Sequence, residues 1–182
     1  MIACYMYFIT FETKIGYMEL TTLNAISPVD GRYRKTVDRL AYYFSEAALI
    51  NYRVFVEIEY FIALTEIPLP QLADFDQKKV SVLRALCREF TFNDANDVKE
   101  IENITNHDVK AVEYYLKKRF EKLSISKYKE FIHFGLTSQD VNNTAMPYAM
   151  NLALQEVMLP MYEDLIQKLT KKAKEWKKVP ML

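Results

Sequence analysis

Three short segments of the sequence combine turn-forming residues with side chains that could bind an anion: SPVDGRY at 27–33, TNHD at 105–108 and GLTSQD at 135–140. In the first, the proline and the Asp-Gly pair predict a tight turn. Arg32 follows the turn and can offer a two-pronged guanidinium group to a phosphate or a carboxylate. A turn that simply leads into a helix is the structural alternative.

The second segment predicts a helix start with a histidine in it. Thr105 and Asp108 have the Thr-x-x-acid spacing of a capping box, which accounts for two of the four residues. His107 is left over, and an exposed histidine without a role is one interpretation. The other is functional, because the free N–H groups of a helix N-terminus favour an anion and an imidazole there can donate or accept a proton.

The third segment repeats the capping spacing with Thr137 and Asp140, before a helix that should start around Val141. A cap alone would explain this spacing. The hydroxyls of Thr137 and Ser138 beside Gly135 could also donate hydrogen bonds to a carboxylate, as an oxyanion site requires. Taken together, the three segments favour a polyanionic ligand, and no P-loop, GxGxxG or Ser-His-Asp motif competes with them.

The elements that must hold these segments are predicted to be helices. Residues 71–134 contain neither glycine nor proline, which is typical of helices joined by short polar turns. Apolar residues at steps of three and four predict a long helix from Val37 to Ile67, a shorter one over 75–90 and another that includes Val109, Val112, Leu116 and Phe120. A seam of the same step from Leu154 to Trp176 resembles the packing of helix bundles.

Composition narrows the class of protein further. The 182 residues include only 3 glycines, and 24 basic residues balance 24 acidic ones. The low glycine content argues against sheet-rich folds, and zero net charge gives no overall field to attract a nucleic acid or an anionic membrane. Two distant cysteines and two histidines provide neither a disulfide framework nor a zinc site. The apolar start of eleven residues is too short to span a bilayer. The cysteine usage leads us to expect a reducing, cytoplasmic compartment.

The three segments, with their flanking residues, resemble the N-terminal signatures of the adenylosuccinate lyase family, in the fumarase and aspartase superfamily. The residues that carry the resemblance are SPVDGRY at 27–33, TNHDVKAVEYYLK at 105–117 and FIHFGLTSQDVNNT at 131–144. The resemblance implies an all-α fold, with an N-terminal helical domain over 18–136 and the beginning of a long-helix bundle over 137–182. Residues 1–17 would be an N-terminal extension. The resemblance also implies a homotetramer in which each active site is formed by residues of three chains.

The same resemblance implies a reaction and a set of binding residues. Fumarate would be eliminated from adenylosuccinate to give AMP, and from SAICAR to give AICAR, without a metal or cofactor. Arg32 and Tyr33 would bind the phosphate end of the substrate. A second contacting segment would consist of Asn106, His107 and Asp108, and a succinyl carboxylate would be held by Thr137 and Ser138.

Two other interpretations remain at this point. Another lyase of the superfamily, such as argininosuccinate lyase, would share the fold and the Thr-Ser-x-Asp segment but would not need SPVDGRY. A non-catalytic helical interaction module would explain the seam and the caps, and would have no affinity for adenylosuccinate or AMP.

We expect the 182-residue chain by itself to show no measurable lyase activity. The resemblance places the segments with the catalytic acid and base beyond Leu182, and each such group contributes roughly 10²- to 10⁴-fold in rate. Ultraviolet monitoring of adenylosuccinate cleavage tests this expectation. Turnover by the chain near that of a full-length lyase would contradict it.

Overall fold

The computed structural model describes residues 20–180, and throughout that range the regular elements are helices, as the all-α prediction requires. The α-helices are α1 (Arg34–Val37), α2 (Ala41–Phe44), α3 (Glu46–Glu66), α4 (Lys79–Arg88), α5 (Phe92–Thr105), α6 (Asp108–Lys122), α7 (Ser138–Ala153) and α8 (Leu159–Trp176). Short 3-10 segments cover Pro28–Asp30, Asp38–Leu40, Pro70–Leu72 and Ser126–Phe131, and a π-helical turn covers Leu154–Met158. None of the described helices combines the length and the apolar character that crossing a membrane requires.

Two predictions about the limits of the domains are not decided by this architecture. The predicted extension over 1–17 lies outside the described residues. The predicted boundary between 136 and 137 falls immediately before α7, the first residue of which is Ser138. Because α7 packs closely against α3, the two sides of this boundary are in contact, and the division into two domains stays a prediction.

Helix α3 is the centre of the structure. It packs against α2, α4, α5, α6 and α7, and its side chains Val54, Ile58 and Phe61 are almost completely buried. The ring of Phe61 meets those of Phe75 and Phe120 edge to face, at centroid distances of 5.3 and 4.9 Å. Burial of one such side chain stabilises a fold by about 1.5–3 kcal/mol. The predicted apolar stripe of this helix is confirmed at the three buried positions.

The chain ahead of α3 does not form part of the same helix, so the prediction of one long helix from Val37 to Ile67 is wrong in its first part. Ser45 is extended, with ψ 163°, and its Oγ accepts a hydrogen bond from the N–H of Ala48 at 3.2 Å. This serine cap satisfies a free N–H at the start of α3. At the other end, Pro68 disfavours a helical Ile67, which is extended with ψ 145°, and α3 ends as predicted.

Helix α4 is shorter than the predicted helix over 75–90. Phe75 does lie in the core, but the carboxylate of Asp76 accepts a hydrogen bond from the N–H of Lys78 at 3.0 Å. This side-chain bond forms a turn in place of a helical hydrogen bond, and the regular helix begins only afterwards. Its apolar residues Leu83 and Cys87 are buried, as the periodicity predicts.

Helices α5 and α6 are held together by one acidic residue at the start of α5. Thr91 and Asp94 form a capping box, in which the carboxylate accepts from the N–H of Thr91 at 2.8 Å. The same carboxylate accepts from the hydroxyl of Tyr115 in α6 at 2.8 Å and is paired with Arg119. The predicted apolar stripe of α6 is buried at all four of its positions, Val109, Val112, Leu116 and Phe120.

Helices α7 and α8 follow each other without a loop, but the π-helical turn changes the register between them. In this turn the N–H of Leu159 donates to the carbonyl of Leu154, five residues back. Pro160 comes next, and the ring of a proline inside an α-helix clashes with the carbonyl four residues earlier. The wider π turn relieves this clash. The predicted seam from Leu154 to Trp176 therefore contains a change of register near its start.

The described residues that follow the π turn, 159–180, are all exposed. Leu165, Leu169 and Trp176 are 50, 60 and 61% exposed, although the apolar spacing of α8 is that of a helix with a buried face. In the chain by itself, this face has no partner among the described residues. An exposed apolar face of this size favours association.

We expect the isolated protein to self-associate through the apolar face of α8. Leu169→Lys should shift it toward the monomer. Gln167→Lys, which adds the same charge about half a turn away on the helix, should leave association unchanged. Light scattering and chemical crosslinking over a concentration series measure the effect. A wild-type protein that stays monomeric at high concentration would contradict the expectation.

Candidate functional site

The starts of α6 and α7 bring His107 and Ser138 together. His107 is the N-cap of α6, and its Nδ1 accepts a hydrogen bond from the N–H of Lys110 at 3.1 Å. A ring nitrogen that accepts carries no proton, so a neutral His107 holds its proton on Nε2. Nε2 lies 3.4 Å from the Oγ of Ser138, and half of the His107 side chain is exposed. An N–H and a hydroxyl are therefore presented at the same place.

The predicted capping box between Thr105 and Asp108 is wrong, because His107 performs the capping. Asn106 is the C-cap of α5 in the left-handed conformation, with φ 51°, which asparagine tolerates better than most residues. It reverses the chain within two residues, so Thr105 is still the last residue of α5. The Thr105 hydroxyl instead donates to the carbonyl of His107 at 3.2 Å. The structural role that the sequence assigned to Thr105 thus belongs to the histidine.

The capping box at the start of α7 is confirmed. The carboxylate of Asp140 accepts hydrogen bonds from the N–H and the hydroxyl of Thr137, at 2.7 and 2.8 Å. These two bonds hold the pKa of Asp140 below its ordinary value. The helix begins at Ser138, three residues earlier than predicted. Gly135, with φ 73°, supplies the left-handed turn that leads into it.

Asp108 is engaged by a buried arginine. Arg53 of α3 donates from one terminal nitrogen to the Asp108 carboxylate at 2.5 Å, and from Nε to the side-chain oxygen of Asn142 in α7 at 2.9 Å. Partial burial acts to raise the pKa of Asp108, but the N–H of Val109 and the charge of Arg53 outweigh it and hold that pKa below its ordinary value. Arg53 therefore ties the starts of α6 and α7 to α3.

Glu57 makes a second buried connection, one turn further along α3. Its fully buried carboxylate accepts from the N–H of His133 at 3.0 Å, and its other oxygen lies 2.5 Å from the ring Nδ1 of the same residue. Burial raises the pKa of Glu57, even though His133 acts in the opposite direction. Sequence reasoning missed Arg53, Glu57 and His133. The signal that could have found the first two is the presence of charged residues in the otherwise mostly apolar stretch NYRVFVEIEYF.

The first predicted segment forms its turn as expected. Ser27 caps the 3-10 turn Pro28–Asp30, and Arg34 donates to the Asp30 carboxylate at 2.5 Å. Arg32 is exposed, and its guanidinium lies 5.5 Å from the centre of the Tyr33 ring. The described contacts link His107 with Ser138 and do not extend to Arg32 or Tyr33. The convergence of all three segments on one ligand stays a prediction.

Comparison with known proteins identifies the family. A family model described as Lyase matches residues 31–182, and the chain belongs to this family. Among curated relatives, the chain is 46% identical over 172 residues to a protein named adenylosuccinate lyase from Dictyostelium discoideum. Proteins of the same name from Haemophilus influenzae and Escherichia coli K12 are 40% and 38% identical over 167 residues.

These matches cover most of this chain but a smaller part of the relatives. Each extends over 91% of the chain and over 36 or 37% of the relative's length. The chain therefore spans about a third of the curated relatives it matches. The family model begins at Gly31, so all of the candidate site residues, from Arg32 to Ser138, lie in the matched part of the sequence.

The pair between Arg53 and Asp108 gives a stability prediction. Asp108→Asn should lower the free energy of unfolding by about 1–2 kcal/mol at pH 7, in the lower part of the range for bonds to charged groups because the Asp108 side chain is half exposed. The pKa of Asp108 is lower in the folded chain than in the unfolded one. The stabilisation by the Asp108 carboxylate is therefore complete above about pH 4. It is lost as the pH falls through the pKa that Asp108 has in the folded chain.

Urea denaturation at pH 7 and at progressively lower pH measures this difference between wild type and variant. Asp97→Asn is a matched control, since Asp97 is exposed on α5 and the change should cost little stability at pH 7. A loss of stability that is equal in both variants, or independent of pH for Asp108→Asn, would contradict the assignment of the pair.

Proposed function

We propose that this chain is the N-terminal part of an adenylosuccinate lyase. The enzyme would eliminate fumarate from adenylosuccinate to give AMP, and from SAICAR to give AICAR. The observation that carries the proposal is the pairing of His107 with Ser138 at two adjacent helix starts. Membership of the Lyase family and the names of the relatives support it.

The arrangement suits the charge that this reaction develops. Elimination removes a proton from the carbon beside a carboxylate while the C–N bond on the neighbouring carbon breaks. Negative charge therefore grows on that carboxylate before the double bond of fumarate forms. Ser138, the N–H groups at the start of α7 and the Nε2–H of His107 are donors that can stabilise this charge. Because Nδ1 of His107 is held by Lys110, the orientation of the ring is fixed before the substrate binds.

The remaining predicted residues divide into binding and supporting roles in this proposal. Asn106 is exposed beside His107, so its amide is available to the substrate. Asp108 acts indirectly, by holding the start of α6 on Arg53. Arg32 and Tyr33 are exposed on the first segment and would bind the phosphate end. The principal proton donor and the principal base would come from other parts of the full-length protein.

The proposal extends to assembly and location. A homotetramer would cover the exposed apolar face of α8 with helices of other subunits. A cytoplasmic enzyme is consistent with the described helices, none of which is suited to a membrane. The balance of basic and acidic residues supports a small-molecule substrate in place of a nucleic acid.

Two threonines that cap helices in the same way separate catalysis from stability. Thr137 and Thr91 each form a capping box with an aspartate, at the starts of α7 and α5. In the full-length enzyme, each change to alanine should cost about 1 kcal/mol of stability. Only Thr137→Ala should also lower kcat, by about 10² or more, because only its helix start faces the developing carboxylate charge.

Steady-state kinetics on adenylosuccinate and urea denaturation of both variants measure the two effects. If Thr137→Ala keeps its turnover and loses only as much stability as Thr91→Ala, residues 137 and 138 form a cap and not a binding site. A fall in kcat for both variants would point to general destabilisation and would also count against the proposal.

A further inference from the structure

The pair formed by Glu57 and His133 has two features that a simple salt bridge does not need. The same carboxylate binds the ring and the backbone N–H of one residue, at 2.5 and 3.0 Å. In addition, His133 is held in the left-handed region, with φ 58°. Non-glycine residues in that region are uncommon, and where they occur the surroundings must hold them there. The buried carboxylate of Glu57 supplies such an interaction from the core.

The interaction between Glu57 and His133 lies close in sequence to the candidate site. Glu57 and Tyr60 are three residues apart and therefore lie on the same face of α3. The Tyr60 hydroxyl donates to the carbonyl of Phe134 at 2.9 Å, next to the residue that Glu57 binds. The chain then turns at Gly135 and starts α7 with Ser138. Two side chains of α3 thus fix the backbone that leads into the proposed carboxylate site.

The partner atoms determine where the proton of His133 is held. When Glu57 is ionised its carboxylate can only accept, so Nδ1 of His133 must then donate to it and carry a proton. In the neutral ring, Nε2 is then the unprotonated nitrogen. His107 has the opposite arrangement, because its Nδ1 accepts from Lys110 and its proton is on Nε2. The two histidines of the chain would therefore differ at Nε2, which is a hydrogen-bond donor in His107 and an acceptor in His133.

We propose that Glu57 is a positioning residue that holds His133 in its Nδ1–H tautomer and keeps Nε2 as a hydrogen-bond acceptor at the entrance to α7. A carboxylate behind a histidine ring is a common means of fixing both tautomer and orientation. As far as it concerns the reaction, this inference rests on the proposed function. In the proposed reaction, His107 would offer an N–H to the anionic groups of the substrate. His133 would offer a lone pair to an N–H or O–H group of the substrate.

The test is nitrogen NMR of the protein with ¹⁵N-labelled histidine, at a pH well above the ordinary histidine pKa. With two histidines, a His107→Gln variant assigns the spectrum. We expect His133 to be protonated at Nδ1 and His107 at Nε2. Protonation of His133 at Nε2, or at both nitrogens under these conditions, would overturn the proposal. This wild-type measurement needs no turnover, so it does not depend on whether the protein is a lyase.

Two variants separate the carboxylate from the general support of the loop. Glu57→Gln should shift His133 toward the Nε2–H tautomer and leave His107 unchanged. Tyr60→Phe removes the other hydrogen bond of α3 to the loop and should leave both tautomers as in the wild type. If Tyr60→Phe changes the His133 tautomer as much as Glu57→Gln does, the effect comes from the loop and the proposal is wrong.

A kinetic measurement tests the role in the reaction. In the full-length lyase, Glu57→Gln should lower kcat about tenfold or more, because a His133 ring in the other tautomer presents an N–H where the proposal needs an acceptor; losing the carboxylate behind a metal-bound histidine has an effect of this size. Glu57→Asp keeps the charge and should recover part of the activity. Unchanged kcat in Glu57→Gln, together with the expected NMR spectrum, would remove the role in the reaction while leaving the tautomer assignment intact.

Discussion

Two opposite charges on one face of α3 constrain the rest of the structure. Arg53 and Glu57 are four residues apart, so they lie one above the other on the helix. Both are buried among apolar side chains, where an unpaired charge is strongly unfavourable. Their partners are at the start of α6, near the start of α7 and in the loop before α7. The fold can satisfy both charges only when these segments meet on α3, and that is where His107 and Ser138 come together.

The segments that meet there are connected by residues in unusual backbone conformations. Asn106, His133 and Gly135 all have positive φ, with values of 51°, 58° and 73°. Asn106 lies in the two-residue connection between α5 and α6, whereas His133 and Gly135 both lie in the six-residue connection before α7. Short connections leave little freedom to the side chains they carry. The precision of the site therefore comes from the connections between helices, while the helices supply the buried charges that hold those connections in place.

The sequence predicted the features that depend on local patterns. Apolar steps of three and four identified the buried side of α6 and the central part of α3, because helical periodicity and burial are directly linked. The cap at Thr137 was predictable from spacing alone, and the similar spacing at Thr105 was misleading because Asn106 turns the chain first. The contacts of Arg53 and Glu57 could not be predicted, since their partners are 55 and 76 residues away along the chain. The break at Ser45 could not be predicted from periodicity, because apolar spacing does not show whether a serine continues a helix or caps the next one.

The position of the site on the fold explains why it is open. The side chain of His107 is half exposed and Thr137 is exposed, whereas the proposed elimination would need donors in a space from which water is excluded. Ser138 begins a run of helix that continues through α7 and α8 to Trp176. This run is roughly 58 Å long if the rise per residue is that of an α-helix. A partner that covers the exposed apolar face of α8 is aligned with the helix that carries the site. If the proposed assembly covers the apolar face of α8, the same step would bring other subunits toward α7, the helix at the start of which the candidate site lies.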